Sequence, residues 1–154
     1  MQAMTGTAIG SGSRQASAPS PDAAPFSIEI RVYYEDTDAG AIVYYGNYLR
    51  YFERVRTEWI RSMGISQQVL MHEQQRQFVV RHAGLDFLAP ARLDDVLVVS
   101  VRPVRLARTY VELEQLVHRE GHTLCRGEVT IACIDSVRMK PAAIPQTIAA
   151  RMKP

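Results

Sequence analysis

Seven large apolar side chains, Tyr48, Tyr51, Phe52, Val55, Trp59, Ile60 and Met63, recur at spacings of three and four along one stretch of the chain. That period places them on one face of an α-helix from 47 to 63, roughly 25 Å long at 1.5 Å per residue. A helix with so broad an apolar face needs a cover of similar length. Its other face carries Arg50, Arg54, Arg56 and Arg61, Gly64 offers a stop, and a shorter helix is expected over 66–73.

The cover is written in the rest of the chain. Residues 26–33 alternate apolar with polar, the period of a half-buried strand, and further strands are expected over 78–88, 96–106, 110–118 and 123–136. Val111, Leu113, Gln115 and Val117 keep one face of the fourth strand inward, while Pro90 and the Arg119-Glu-Gly-His122 turn punctuate the series. One strand, one long helix and four strands predict an α+β domain in which an antiparallel sheet packs on a central helix.

The remaining chain sets the boundaries. With 154 residues, 47% of them hydrophobic and 22% charged, one globular core is what the chain builds. Residues 1–25, rich in Ala, Ser, Gly, Thr and Pro, are expected to form a disordered tail; the domain is placed at 26–140, and 141–154 is set apart as a C-terminal tail. Eighteen basic and sixteen acidic residues are interspersed, so no basic stripe suits nucleic acid. No run of about 20 apolar residues provides a transmembrane segment, and no apolar core of a secretory signal is present, so a cytoplasmic protein is expected. Cys125 and Cys133, eight residues apart on one strand, sit about 27 Å from each other, too far for a disulfide.

The segment between the first strand and the long helix concentrates the residues with chemistry. Taken alone, Asp38 before Ala-Gly reads first as a turn-maker bonding its own backbone, with a reactive carboxylate as the alternative. Tyr34-Glu-Asp-Thr-Asp38-Ala-Gly followed by Val43-Tyr-Tyr-Gly-Asn-Tyr48 resembles the signature of the 4-hydroxybenzoyl-CoA thioesterase-like hotdog family. Phe52-Glu-Arg-Val-Arg-Thr-Glu-Trp59 and Phe87-Leu-Ala-Pro-Ala-Arg-Leu-Asp-Asp95 are similar to its branch of Tol-Pal system-associated acyl-CoA thioesterases. The similarity spans roughly 28–134.

The resemblance implies a hotdog fold, an antiparallel five-stranded sheet wrapped around one long central helix. It also implies homodimers with a continuous sheet, a further pairing into tetramers being left open, and active sites at the subunit interface. It assigns Asp38 as the essential carboxylate and the backbone N–H of Tyr45 as donor to the thioester oxygen. A helix start offers unpaired N–H groups and a positive dipole end, which suit the oxyanion formed when a thioester is attacked. A thiolate leaving group, with thiols titrating near pH 8.5, asks for little proton donation. Whether Asp38 adds to the acyl carbon or deprotonates water is open, since both roles suit a carboxylate.

The chain departs from the branch pattern at Tyr45, where relatives usually carry histidine, and at Ala41, where they often carry glycine. Tyrosine, titrating near 10, positions or donates rather than acting as a base at pH 7. Tyr34 is a secondary candidate, against simple packing at a strand end. Glu53 and Glu58, on the long helix, are rival acids, with pairing to Arg50, Arg54 or Arg61 as the alternative. Arg81, Arg102 and Arg105, with Arg108, are available for coenzyme A phosphates, against plain solvation.

Ile42, Val43, Tyr48 and Trp59 serve either as an acyl-chain wall or as core. His118 and His122 flank a hairpin turn with no Cys pair nearby, which gives no zinc site, and no cofactor is expected. Three functions compete: hydrolysis of acyl-CoA thioesters; a non-catalytic adaptor binding acyl-CoA or acyl carrier protein and linked to the cell envelope; and a dehydratase. The last is weakest, since none of the four histidines lies before or at the start of the long helix. Retention of Asp38 favours the hydrolase over the adaptor, because a binder gains nothing from a carboxylate beside a thioester.

Overall fold

The computed structural model describes residues 24–154 of the chain. The expected N-terminal tail therefore falls, up to residue 23, outside the described residues. Helix α1 spans Asn47–Ser62 and α2 spans Gln67–Gln74. The apolar stripe buries Tyr51, Phe52 and Val55 completely and Tyr48, Trp59 and Ile60 nearly so. Each such burial contributes roughly 1.5–3 kcal/mol, so packing rather than helix propensity fixes α1. Gly64, at φ +74°, ends it in the left-handed region that glycine enters without penalty. Ser66 starts α2, its Oγ accepting the Val69 N–H at 3.3 Å.

The strands are β1 (Phe26–Arg31), β2 (Arg76–Phe87), β3 (Val96–Leu106), β4 (Tyr110–Arg119) and β5 (His122–Asp135). They lie in the order β1-β3-β4-β5-β2, every pair antiparallel. A two-residue β6 (Lys140–Pro141) pairs with the end of β5 and adds a short sixth strand to the five expected. Register shifts between Val80 and His82, and between Pro103 and Arg105, mark bulges that increase the twist and let the sheet curl around α1. Pro103 sits beside the second of them and beyond the end of β1, where a strand tolerates proline.

Two features bind sheet and helix. Gly127 on β5 leaves room for the Phe52 ring; a Cβ there would stand 2.4 Å from Phe52 Cε2. Gln115, fully buried on β4, accepts from Arg56 at 2.7 Å and donates to the Phe52 carbonyl at 3.1 Å. Arg56 is thus buried, not on the solvent face where helical spacing placed it.

The segment 141–154, set apart as a tail, packs on the domain. Ile144, Ile148 and Met152 are buried in the core, α3 (Gln146–Ala149) carries the second of them, and the Ile144 N–H bonds the Arg108 carbonyl at 2.9 Å. Spaced by four, these three side chains cover the core that the sheet leaves open.

Candidate active site

The site is a backbone device between β1 and α1. After β1, a 3-10 turn (Tyr34–Asp36) leads into a narrow loop whose two arms pair through the bridge Thr37 to Val43. Asp38 N–H bonds the Ile42 carbonyl at 3.0 Å, and Tyr44 N–H bonds the Asp36 carbonyl at 2.9 Å. At the tip, the Ala41 N–H reaches the Asp38 carbonyl at 2.9 Å while Gly40 N–H donates to Asp38 Oδ1 at 2.8 Å. Val43 N–H ties the returning arm to the Ala91 carbonyl at 2.9 Å.

Asp38 therefore makes its turn, and the carboxylate has capacity left. It is exposed, and among the described residues no protein donor reaches Oδ2. Its negative charge contributes to raising the Tyr44 hydroxyl above the usual tyrosine range, after the larger effects of the neighbouring Tyr45 hydroxyl and of desolvation.

Tyr45 stands immediately before the Gly46 cap of α1. No side chain caps that end, no acid lies in the first turn, and among the described residues the Tyr45 N–H has no acceptor. An unpaired N–H beside the positive end of a 16-residue helix is a ready donor for developing negative charge. The Tyr45 side chain is exposed, its ring 4.8 Å from that of Tyr44 and 6.1 Å from that of Phe87. Phe87, at the end of β2, also meets Tyr48 edge-on at 5.5 Å. Tyr48 is buried and accepts the Ala91 N–H on its hydroxyl at 3.3 Å, and burial pushes that hydroxyl above its ordinary range. Half-exposed Phe87, which opens the Phe87–Asp95 motif, was given no place in the site by sequence reading; its position at the close of an alternating strand was the available signal.

The other candidates are dispersed. Tyr34 is 82% exposed, its peptide carbonyl accepting from Thr37. Glu53 pairs with Arg56 and Glu58 with Arg61, so neither takes the partners named for it except Arg61. Both line a cleft of about 400 Å³ between β1 and α1 that includes neither Asp38 nor Tyr45. Arg102 pairs with Glu114 at 2.6 Å and Arg105 with Glu112 at 3.6 Å. The Arg81 guanidinium stacks 4.6 Å from the centre of the Tyr110 ring, and Arg105 approaches the same ring at 5.8 Å. Of the proposed acyl wall, Val43, Tyr48 and Trp59 are core and Ile42 is partly exposed. Among the described residues no helix is long and apolar enough to cross a membrane.

Comparison with known proteins draws these features together. The thioesterase superfamily model matches residues 40–126, beginning two residues past Asp38. Acyl-CoA thioesterase YbgC of Haemophilus influenzae is 42% identical over 125 residues, covering 81% of this chain and 92% of that protein. The 1,4-dihydroxy-2-naphthoyl-CoA hydrolase of Synechocystis is 28% identical over 79% of this chain and 89% of its own length. Among solved structures, a probable thioesterase from Bartonella henselae superposes with a TM-score of 0.75 at 34% identity, covering 79% of this chain and all of that one.

Proposed function

The chain belongs to the thioesterase superfamily of hotdog hydrolases, and from that premise we propose that it hydrolyses acyl-CoA thioesters to free acid and coenzyme A. The observation that carries the reading is one loop that presents an exposed carboxylate, Asp38, and an unengaged N–H, Tyr45, at the open end of α1. In this mechanism the Tyr45 N–H donates to the thioester carbonyl oxygen and stabilises the oxyanion as it forms. Asp38 either takes a proton from the attacking water or adds to the acyl carbon itself to give an anhydride that water then cleaves to the acid and free Asp38; in both, coenzyme A departs as its thiolate. Tyr34 is a secondary contact to the substrate, and no cofactor takes part.

Both groups lie open on the single chain, beside the exposed and mutually packed rings of Tyr44, Tyr45 and Phe87. A substrate site excludes water more fully than this. That supports a homodimer in which a second copy closes the site, β2 being an edge strand of 12 residues that, among the described residues, pairs with a strand on one side only. Pairing of dimers into tetramers remains part of the proposal, as does a cytoplasmic location. For the coenzyme A phosphates, Arg81 is the one of the three proposed arginines that pairs with no carboxylate among the described residues. Arg102 and Arg105 already face carboxylates, which a phosphate must displace.

The test is thiol release from acyl-CoA thioesters running from acetyl to palmitoyl and including benzoyl types, with Asp38→Asn beside the intact protein. Release by the first and a fall of about a thousandfold in a folded second are expected. No release from any substrate transfers the reading to an adaptor that binds acyl-CoA or acyl carrier protein without turnover. Full activity in Asp38→Asn removes that residue from the chemistry and turns attention to Glu53 and Glu58.

A further inference from the structure

Resting on the reading of Asp38 and Tyr45 N–H as the two working groups, we infer that Asp36 is the positioning residue that holds them in register. Asp36 is 8% exposed, the most buried carboxylate in the loop, and lines the cleft between β1 and α1 that includes neither Asp38 nor Tyr45. Its Oδ2 accepts the Tyr33 N–H at 2.8 Å, which anchors the loop where the chain leaves β1. Its peptide carbonyl accepts twice, from Tyr44 N–H at 2.9 Å and from Asn47 Nδ2 at 2.8 Å. The carboxylate thus anchors the residue to the outgoing arm, and in doing so sets where its peptide carbonyl meets the returning arm and the first turn of α1.

The consequences fall on its neighbours. Asp38 lies two residues after Asp36, and Tyr45 follows the residue whose N–H Asp36 holds. Four residues past Asn47 on the same helix face, the Tyr51 hydroxyl is buried without a partner at hydrogen-bond distance among the described residues. Burial first, then the charge of the Asp36 carboxylate, pushes that hydroxyl above its ordinary range. A helix keyed at Asn47 cannot rotate about its axis without disturbing the Asp36 carbonyl. The arrangement fixes the direction of the Tyr45 N–H relative to the carboxylate two residues beyond Asp36.

Misplacing a reacting group by about 1 Å costs on the order of 100-fold in rate, so kcat is the quantity to read. With the best substrate of the thioester panel, Asp36→Ala is expected to lower kcat about 30-fold or more while KM stays within about threefold. Binding stoichiometry of a non-hydrolysable thioether analogue of that substrate is expected to stay at the intact value. Asp36→Asn, which keeps an oxygen for the Tyr33 N–H, is expected to restore kcat to within about threefold. In an Asp38→Asn background, Asp36→Ala is expected to cost far less than it does alone, since it acts through Asp38.

A folded Asp36→Ala protein with intact kcat overturns the inference. So does a loss of kcat matched by an equal loss of analogue binding, which would mark a purely structural role. If Asp36→Ala does not fold, Asn47→Ala removes only the Nδ2 donor; a loss of about tenfold in kcat at full analogue binding is expected, and intact kcat there overturns the inference. Full activity in Asp38→Asn overturns the reading beneath it instead.

Discussion

The guanidinium of Arg56 on α1 donates to Gln115 Oε1 on β4 at 2.7 Å, with both side chains buried. The outer side of Arg56 meets Glu53, which is 59% exposed, so the interior end of the charge depends on Gln115 alone among the described residues. Replacing Gln115 by Leu leaves a buried cation with one acceptor fewer. Loss of a hydrogen bond to a charged group gives an expected destabilisation of about 2 kcal/mol, read as a lower urea midpoint at unchanged slope. Adding Arg56→Met to that variant is expected to recover part of the loss, because an apolar pair of similar volume needs no acceptor. A Gln115→Leu protein as stable as the original would assign the bond no energetic weight.

That pair also shows where sequence reading ends. Helix α1 and strands β2 to β5 were legible to within two residues at each end, because burial of one face writes its period into the chain. Arg56 was not, since spacing alone groups it with Arg50 and Arg61 on the polar side. The buried polar partner that draws it inward sits 59 residues away. Ile144, Ile148 and Met152 carried a spacing of four that marks a buried face, but proline and polar neighbours obscured it. Asp38 and Tyr45 came from resemblance; physics alone left Asp38 as a turn-maker, and the Gly40 bond is the turn it predicted. The role of Asp36 needs the loop closed before it can be seen.

Ala41 offers a direct test of backbone strain. At φ +58° it occupies the left-handed region, which costs a residue with a Cβ about 1 kcal/mol or more. Ala41→Gly is therefore expected to stabilise the protein by about 0.5 kcal/mol, the gain being reduced by the greater freedom of glycine in the unfolded chain. Chemical denaturation of the two proteins decides it. A less stable glycine variant would mean that the unfolded-state effect outweighs the strain.

Stability should fall in acid through two carboxylates. Burial draws the Asp95 carboxyl upward, but the hydrogen bond from Arg119, with that from the Arg92 N–H, outweighs it and leaves the group below its ordinary value. Asp135 is lowered by the N–H groups of Arg138 and Val137. A depressed carboxylate contributes stability that is fully present above its unfolded value, about 3.9, and is lost as pH falls through the lower folded value. Thermal midpoints are expected to change little on account of these groups between pH 7 and about pH 5 and to drop below about pH 4. Asp95→Asn should show a smaller acid drop than the intact protein, and an undiminished drop would exclude that pair as a cause.

The two cysteines should be silent in the folded protein. Both are buried on β5, and burial, with the Asp86 charge as a lesser cause, pushes the Cys125 thiol up to about 12. Burial likewise raises Cys133 above its ordinary value, against a lesser lowering by Arg76. Reaction with a thiol reagent needs thiolate and access together. No labelling is expected at pH 8 in native protein, and both sites should label after denaturation. Fast labelling of the native protein would show that β5 opens readily; silence would also keep its thiols out of any coenzyme A release assay.

Tyr45 separates backbone from side chain. Its hydroxyl and ring are exposed, while the proposed donor is the N–H that no other group among the described residues accepts. Tyr45→Phe keeps that N–H and the ring that faces Phe87, so kcat is expected to stay within about threefold of the intact value, with the difference confined to KM. Tyr45→Pro removes the donor itself just ahead of the Gly46 cap of α1. Loss of one oxyanion donor lowers kcat on the order of 100-fold or more, and circular dichroism establishes that the variant is folded. If Tyr45→Phe loses as much as Tyr45→Pro, the hydroxyl rather than the backbone is the working group, and the departure from histidine at this position then takes a direct part in the chemistry.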